Sequence, residues 1–232
     1  MRRRYICRVC RWRPLVQLIL MLLATFSAHA QMGRIDSLMR CHGLIDVGSI
    51  SPHITVDLRY ATADNFVGRP MYRGLTRAYL TPSAARALLV ALTRLREVNP
   101  AYGLVVYDAA RPLSVQRTMW AAVAATPQRR YVANPRGGGP HNYGMAVDVG
   151  LTLHGHPVDM GTPFDTFTEA AHITDERGLV RRGLISAGAA YHRRLLRRAM
   201  TAAGFNTYRR EWWHFTLNPM PYARAHLRLL DF

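Results

Sequence analysis

The sequence has 232 residues, 49% hydrophobic and 19% charged, with a formal net charge of +17. That is enough chain for one medium domain with its own core, and too apolar a chain for a disordered polymer. Every basic residue is arginine, a bias that reads as GC-rich coding and not as a chemical requirement.

The first thirty residues stand apart. Arg2, Arg3, Arg4, Arg8, Arg11 and Arg13 form a basic region, residues 15–26 form an apolar one, and Ala28 and Ala30 place small residues before Gln31. This is the order of a secretory signal peptide, with cleavage expected after Ala30 and export to the periplasm. The apolar run is short for a membrane span, and a retained anchor through residues 15–26 is the alternative. Cleavage would remove six arginines and no acid, leaving 25 basic and 14 acidic side chains, a net +11. Such a charge often marks a nucleic-acid binder. No RNA- or DNA-binding motif is present, so the expectation is no nucleic acid and a weak attraction to anionic wall or membrane surfaces. Cys7 and Cys10 would leave with the signal segment, so their C-x-x-C spacing carries no weight. Cys41 would then be alone, without an internal disulfide.

Residues 31–232 read as one domain without repeats or linkers. Residues 56–60 alternate apolar and polar, which predicts a strand. Thr81-Pro82 predicts a helix start, followed by Ala84, Ala85, Leu88, Leu89, Leu92 and Leu95 at helical spacing. Residues 103–107 are β-rich. Residues 114–125 predict a second helix, capped by Ser114 and stopped near Pro127. Residues 135–140 form a Gly/Pro loop. A strand is predicted over 145–153, with a hairpin turn at Gly155 towards Val158. Residues 187–203 predict a third helix ended by Gly204, with Arg193, Arg194, Arg197 and Arg198 as a solvated face. The last strand covers 212–217. Helices come early and strands mostly late, so the fold class is α+β, with an antiparallel sheet and helices packed on one side.

Two segments carry chemistry: His141-Asn-Tyr-Gly-Met-Ala-Val-Asp148 and Glu211-Trp-Trp-His214. They offer two histidines and an aspartate as metal ligands, and a glutamate that need not bind. Catalytic zinc uses three protein ligands and keeps one position open for water. A nearby carboxylate can then take that water's proton. In a straight strand Glu211 and His214 would point to opposite faces, so a bend is expected near Glu211. Trp212 and Trp213 are expected to pack, one under the site and one in the core. His154 and His156 mark a hairpin tip. There is no Ser-His-Asp elbow, P-loop or dinucleotide fingerprint.

These residues resemble the zinc D-alanyl-D-alanine dipeptidases, within the wider set of zinc D-amino-acid peptidases with a hedgehog-like fold. The segment Asp57-Leu-Arg-Tyr-Ala-Thr-Ala-Asp-Asn-Phe66 is similar to the opening segment of that family. Asp108-Ala-Ala-Arg-Pro112 is similar to its arginine motif, and Met160-Gly-Thr-Pro-Phe-Asp165 to the segment specific to its dipeptidase branch. The resemblance implies one zinc ion on His141, Asp148 and His214, with Glu211 as base and Arg111 facing the oxyanion. It also implies that Asp165, with Tyr60 nearby, receives the free ammonium of a small D-amino-acid dipeptide. One departure is visible: the family has serine two residues before the first ligand histidine, and Gly139 stands there. Two other readings remain open. One is a peptidoglycan carboxypeptidase or endopeptidase of the same fold, and the other is a zinc-stabilised binding domain without catalysis.

Overall fold

A computed structural model describes residues 33–72 and 74–232. The expected signal segment and its cleavage site lie outside the described residues. Residues 33–41 are helical (α1) and lead into β1 (Ile45–Asp46) and β2 (Ile54–Val56). Then come β3 (Tyr79–Leu80), α2 (Pro82–Val98), β4 (Tyr102–Asp108) and α3 (Leu113–Ala122). Next are β5 (Ala146–Leu153), β6 (His156–Pro157), α4 (Glu176–Arg181) and α5 (Ala187–Ala202). The chain ends through β7 (Asn206–Tyr208), β8 (Glu211–Thr216) and α6 (Met220–His226). Among these residues no helix is long and apolar enough to cross a membrane.

The helix starts follow from local chemistry. The Thr81 hydroxyl accepts from the Ala84 N–H, and Pro82 opens α2. Ser186 does the same for α5 through the Ala189 N–H. Each cap satisfies a backbone donor that the helix itself leaves free. At α3 the expected cap is displaced: the helix starts at Leu113, behind Pro112. Ser114 lies inside it and donates to the Phe232 carbonyl instead (2.7 Å).

The main sheet runs in the order β2-β4-β5-β8-β7, with β6 also paired to β5. It is mixed and not purely antiparallel. β2 runs parallel to β4 because the chain returns through the crossover helix α2; the other pairings are antiparallel. The strand expected over 56–60 ends at Val56. There the chain turns through a short 3-10 segment, Arg59–Ala61, which buries Tyr60. Every residue of β4 is buried, as its apolar run requires. The expected hairpin after β5 is present: His154 (φ 52°) and Gly155 (φ 80°) form its tip, and Leu153 pairs with His156.

One helical layer covers the sheet. α2 packs on β4, α5 packs on β5, β7 and β8, and the two helices pack on each other. In α2 the predicted stripe of Ala84, Ala85, Leu88, Leu92 and Leu95 is buried, while Leu89 is exposed. The solvated face assigned to α5 needs correction: Arg193 is buried, and Arg197 pairs with the buried Glu176 (2.8 Å).

Candidate active site

Three side chains converge at the end of β5 away from its hairpin. Asp148 of β5 and His214 of β8 are direct cross-strand partners, so both project from one face. His141 arrives from a 3-10 turn, Pro140–Tyr143. Gly144 ends that turn at φ 65°, and a Cβ there would meet the Leu44 side chain at 3.0 Å. The turn is fastened from outside: the Arg111 N–H donates to the His141 carbonyl (3.0 Å), the Thr81 N–H to that of Gly144 (2.8 Å), and the Leu230 N–H to that of Asn142 (2.9 Å).

One donor atom from each of the three side chains lies within 4.8 Å of the others. His214 Nδ1 is 2.9 Å from Asp148 Oδ1 and 3.2 Å from His141 Nε2. The outward nitrogens are already engaged. His141 Nδ1 is 2.8 Å from the Ala109 carbonyl, and His214 Nε2 is 3.0 Å from the Thr216 hydroxyl. A proton on His141 Nδ1, donated to that carbonyl, leaves the Nε2 lone pair facing inward, and Thr216 does the same for His214 Nδ1. Burial works against charge at Asp148, yet His141 and His214 hold its carboxyl well below the usual range. Two inward lone pairs and a carboxylate so close together call for a cation, and the set suits a metal.

The family model of peptidase M15, described as D-ala-D-ala dipeptidase, matches residues 40–231. The chain belongs to this family. It is 34% identical over 191 residues to a D-alanyl-D-alanine dipeptidase of Escherichia coli K12, an alignment covering 81% of this chain and 90% of the relative. A D-alanyl-D-alanine dipeptidase of Enterococcus faecalis is 32% identical over 188 residues, covering 72% and 87%. One of Streptomyces coelicolor is 32% identical over 193 residues, covering 72% and 87%.

The other residues singled out in this M15 peptidase share a cavity of about 350 Å³ with the metal set. Its size is at the small end for ligand pockets, which run roughly 300–1,000 Å³. Glu211, Arg111, Asp165 and Tyr60 all line it, and so does Trp213. Trp212 packs edge-on against Trp213 and donates its indole N–H to Thr162 (2.9 Å).

The bend expected near Glu211 takes the form of a register shift. Thr207 pairs with Phe215, but Tyr208 pairs with Glu211, so Trp212, Trp213 and His214 have no counterpart on β7. Glu211 is buried, and burial raises its carboxyl to about 8; Asp148 and Asp165 push the same way, against His214 and Arg111.

Arg111 is also buried. Its Nε and Nη2 both bond Asp108, and Nη1 donates to Gln116 (2.7 Å). The Asp108–Arg111 pair is a structural brace as well as part of the site, and the guanidinium keeps N–H groups to spare for the cavity. Its Cζ lies 5.1 Å from the centre of the Tyr60 ring.

Asp165 sits at φ 62°. One carboxylate oxygen accepts from the Tyr60 hydroxyl (2.9 Å), and the other is buried without a partner among the described residues. Burial raises this carboxyl to about 8, against the Tyr60 hydrogen bond.

Gly139 approaches the neighbouring loop closely. A Cβ there would lie 2.8 Å from the Ala133 Cβ.

Sequence reading missed Gln116, Thr216, Tyr131 and Phe167. Thr216 carried a signal, since a residue two positions after His214 in a strand shares its face. Tyr131 and Phe167 stack at 4.8 Å on the cavity wall, and their separation in sequence gave none. His154, His156 and His172 lie outside the metal set.

Proposed function

We propose that this chain hydrolyses D-alanyl-D-alanine to two D-alanines with a single zinc ion held by His141, Asp148 and His214. The observation that carries the reading is the shared cavity. It joins a three-donor metal set, a buried glutamate, a braced arginine and a buried carboxylate oxygen that lacks a partner among the described residues. What zinc supplies when bound is Lewis acidity, towards the scissile carbonyl and towards water.

The chain's own groups do the rest. Glu211 takes the proton of the attacking water and delivers it to the departing amine as the C–N bond breaks. The free N–H groups of Arg111 meet the negative charge that develops on the carbonyl oxygen. Asp108 and Gln116 hold them there in advance, so little reorganisation is needed. Asp165 receives the substrate's ammonium on its free oxygen, with Tyr60 fixing the other. That acceptor favours a dipeptide over longer or N-blocked peptides, and so favours this reading over a carboxypeptidase or endopeptidase. At Gly139 no hydroxyl is offered to substrate, and the backbone and its neighbours must serve instead. Residues 1–30 support export, with a mature chain that begins at Gln31.

The deciding experiment is hydrolysis of free D-Ala-D-Ala beside an intact muropeptide, with and without a chelator. Release of D-alanine from the dipeptide alone, abolished by chelation and restored by zinc, is the expected result. Preferential cleavage of the muropeptide would overturn the reading.

A further inference from the structure

Arg193 lies on α5 and is 1% exposed. Its Nε donates to the Met160 carbonyl (2.6 Å), its Nη1 to the Ala170 carbonyl (2.8 Å), and its Nη2 reaches the Thr162 hydroxyl (3.5 Å). Its Cζ lies 5.9 Å from the centre of the Trp212 ring, and Trp212 donates to the same Thr162 hydroxyl. Among the described residues it makes no salt bridge: Glu176 is taken by Arg197, and Asp159 by Ser186. Burial pulls its pKa down to about 10.

A buried guanidinium without a counter-ion is an expensive way to fill space; an aliphatic side chain would do so without desolvating a charge. What the fork gains is a grip on two carbonyls ten residues apart, 160 and 170. Asp165 lies midway between them, with its backbone in the left-handed region at φ 62°. A conformation of that kind persists when its surroundings determine it. The loop is also pressed onto α5. Gly161 sits at φ 83°, and a Cβ there would meet the Ala189 Cβ of α5 at 3.1 Å and the Ile185 side chain, just ahead of the helix, at 2.8 Å.

We infer that Arg193 is a positioning residue. By tying both ends of residues 160–170 to α5, it holds Asp165 where the substrate's ammonium arrives, and so sets the preference for a free amino terminus. This rests on the role proposed above for Asp165.

The test is Arg193→Lys, which keeps the charge and loses the fork. The expected result is a KM for D-Ala-D-Ala raised roughly tenfold or more, with kcat within about threefold. Metal content should be unchanged, and hydrogen exchange over residues 160–170 should be faster. In combination with Asp165→Asn, the double variant should be no worse than Asp165→Asn alone, within about twofold, because both act through one group. A loss that adds in full to that of Asp165→Asn, or one that falls on kcat and metal content together, overturns the inference. Asp165→Asn alone reports on the reading beneath: an unchanged KM there overturns the role of Asp165. An effective Asp165→Asn beside a silent Arg193→Lys overturns only the inference. Should Arg193→Lys not fold, Thr162→Val removes only the hydroxyl shared by Arg193 and Trp212. It should raise KM by about threefold and speed exchange over the same residues; no change in either overturns the inference as well.

Discussion

Asparagine at position 165 isolates one charge. The φ of 62° there is a conformation that asparagine, like aspartate, adopts more readily than most residues, so Asp165→Asn should leave the loop in place. It should also still accept from the Tyr60 hydroxyl. What disappears is the anion that a substrate ammonium would draw out of this carboxyl, raised by burial to about 8; its second oxygen is buried and has no partner among the described residues. A substrate ammonium entering there would meet a neutral amide. Leaving a buried charge unpaired costs about 3–5 kcal/mol, and the lower figure corresponds to a loss of roughly 150-fold in kcat/KM. The assay is D-alanine release from free D-Ala-D-Ala and from its N-acetyl derivative. The free dipeptide should lose rate by about that factor, while the acetylated one, already poor for lack of the charge, should lose roughly threefold or less. A loss below about fivefold on the free dipeptide, or equal losses on both, would refute the pairing.

Four other outcomes are expected. Glu211→Gln should keep its metal and lose roughly 10²- to 10⁴-fold in kcat, as for removal of a general base; a near-normal kcat would assign the proton to another group. His214→Ala should lose the metal, and full occupancy by elemental analysis would count against the ligand set. Gly144→Ala should lower stability by about 1–3 kcal/mol through its positive φ and its contact with Leu44, read as a fall in melting temperature; an unchanged melting temperature would mean that the turn relaxes freely. N-terminal sequencing of the exported protein should begin at Gln31, whereas a chain that begins at Met1 and stays with the membrane would favour the anchor.

Some of this was legible in the sequence because the signals were local. Thr81-Pro82 acts on backbone within a turn of itself, so the start of α2 could be read directly. The His141, Asp148 and His214 set could be read because metal chemistry narrows the choice of residue types. Other features depend on partners far along the chain. Residues 56–60 alternate like a strand, yet Leu58 and Tyr60 are buried by a turn that only the neighbouring strand β4 and the site explain. The parallel pairing of β2 depends on where α2 returns the chain. The run of Arg194, Arg197 and Arg198 beside Arg193 suggests a solvated face, whereas the partners of Arg193 lie 23 to 33 residues away in sequence. The brace on Arg111 was legible only in half: Asp108 is close in sequence, but Gln116 showed itself only once α3 had turned it inward.

The register shift between β7 and β8 makes chain length, and not only residue identity, a determinant of activity. His214 is fixed by its pairing with Asp148 on the far side of β8, whereas Glu211 reaches the cavity through residues that β7 leaves unmatched. Loss of Trp212 or Trp213 would cut the separation of the glutamate and the histidine from three to two, so the β5 pairing could re-form around the histidine while the irregular stretch that now carries the glutamate into the cavity would be lost. The three metal-set residues would keep their places while the glutamate's approach to them changed. In comparing relatives, the spacing between the glutamate and the histidine is therefore as informative as their presence.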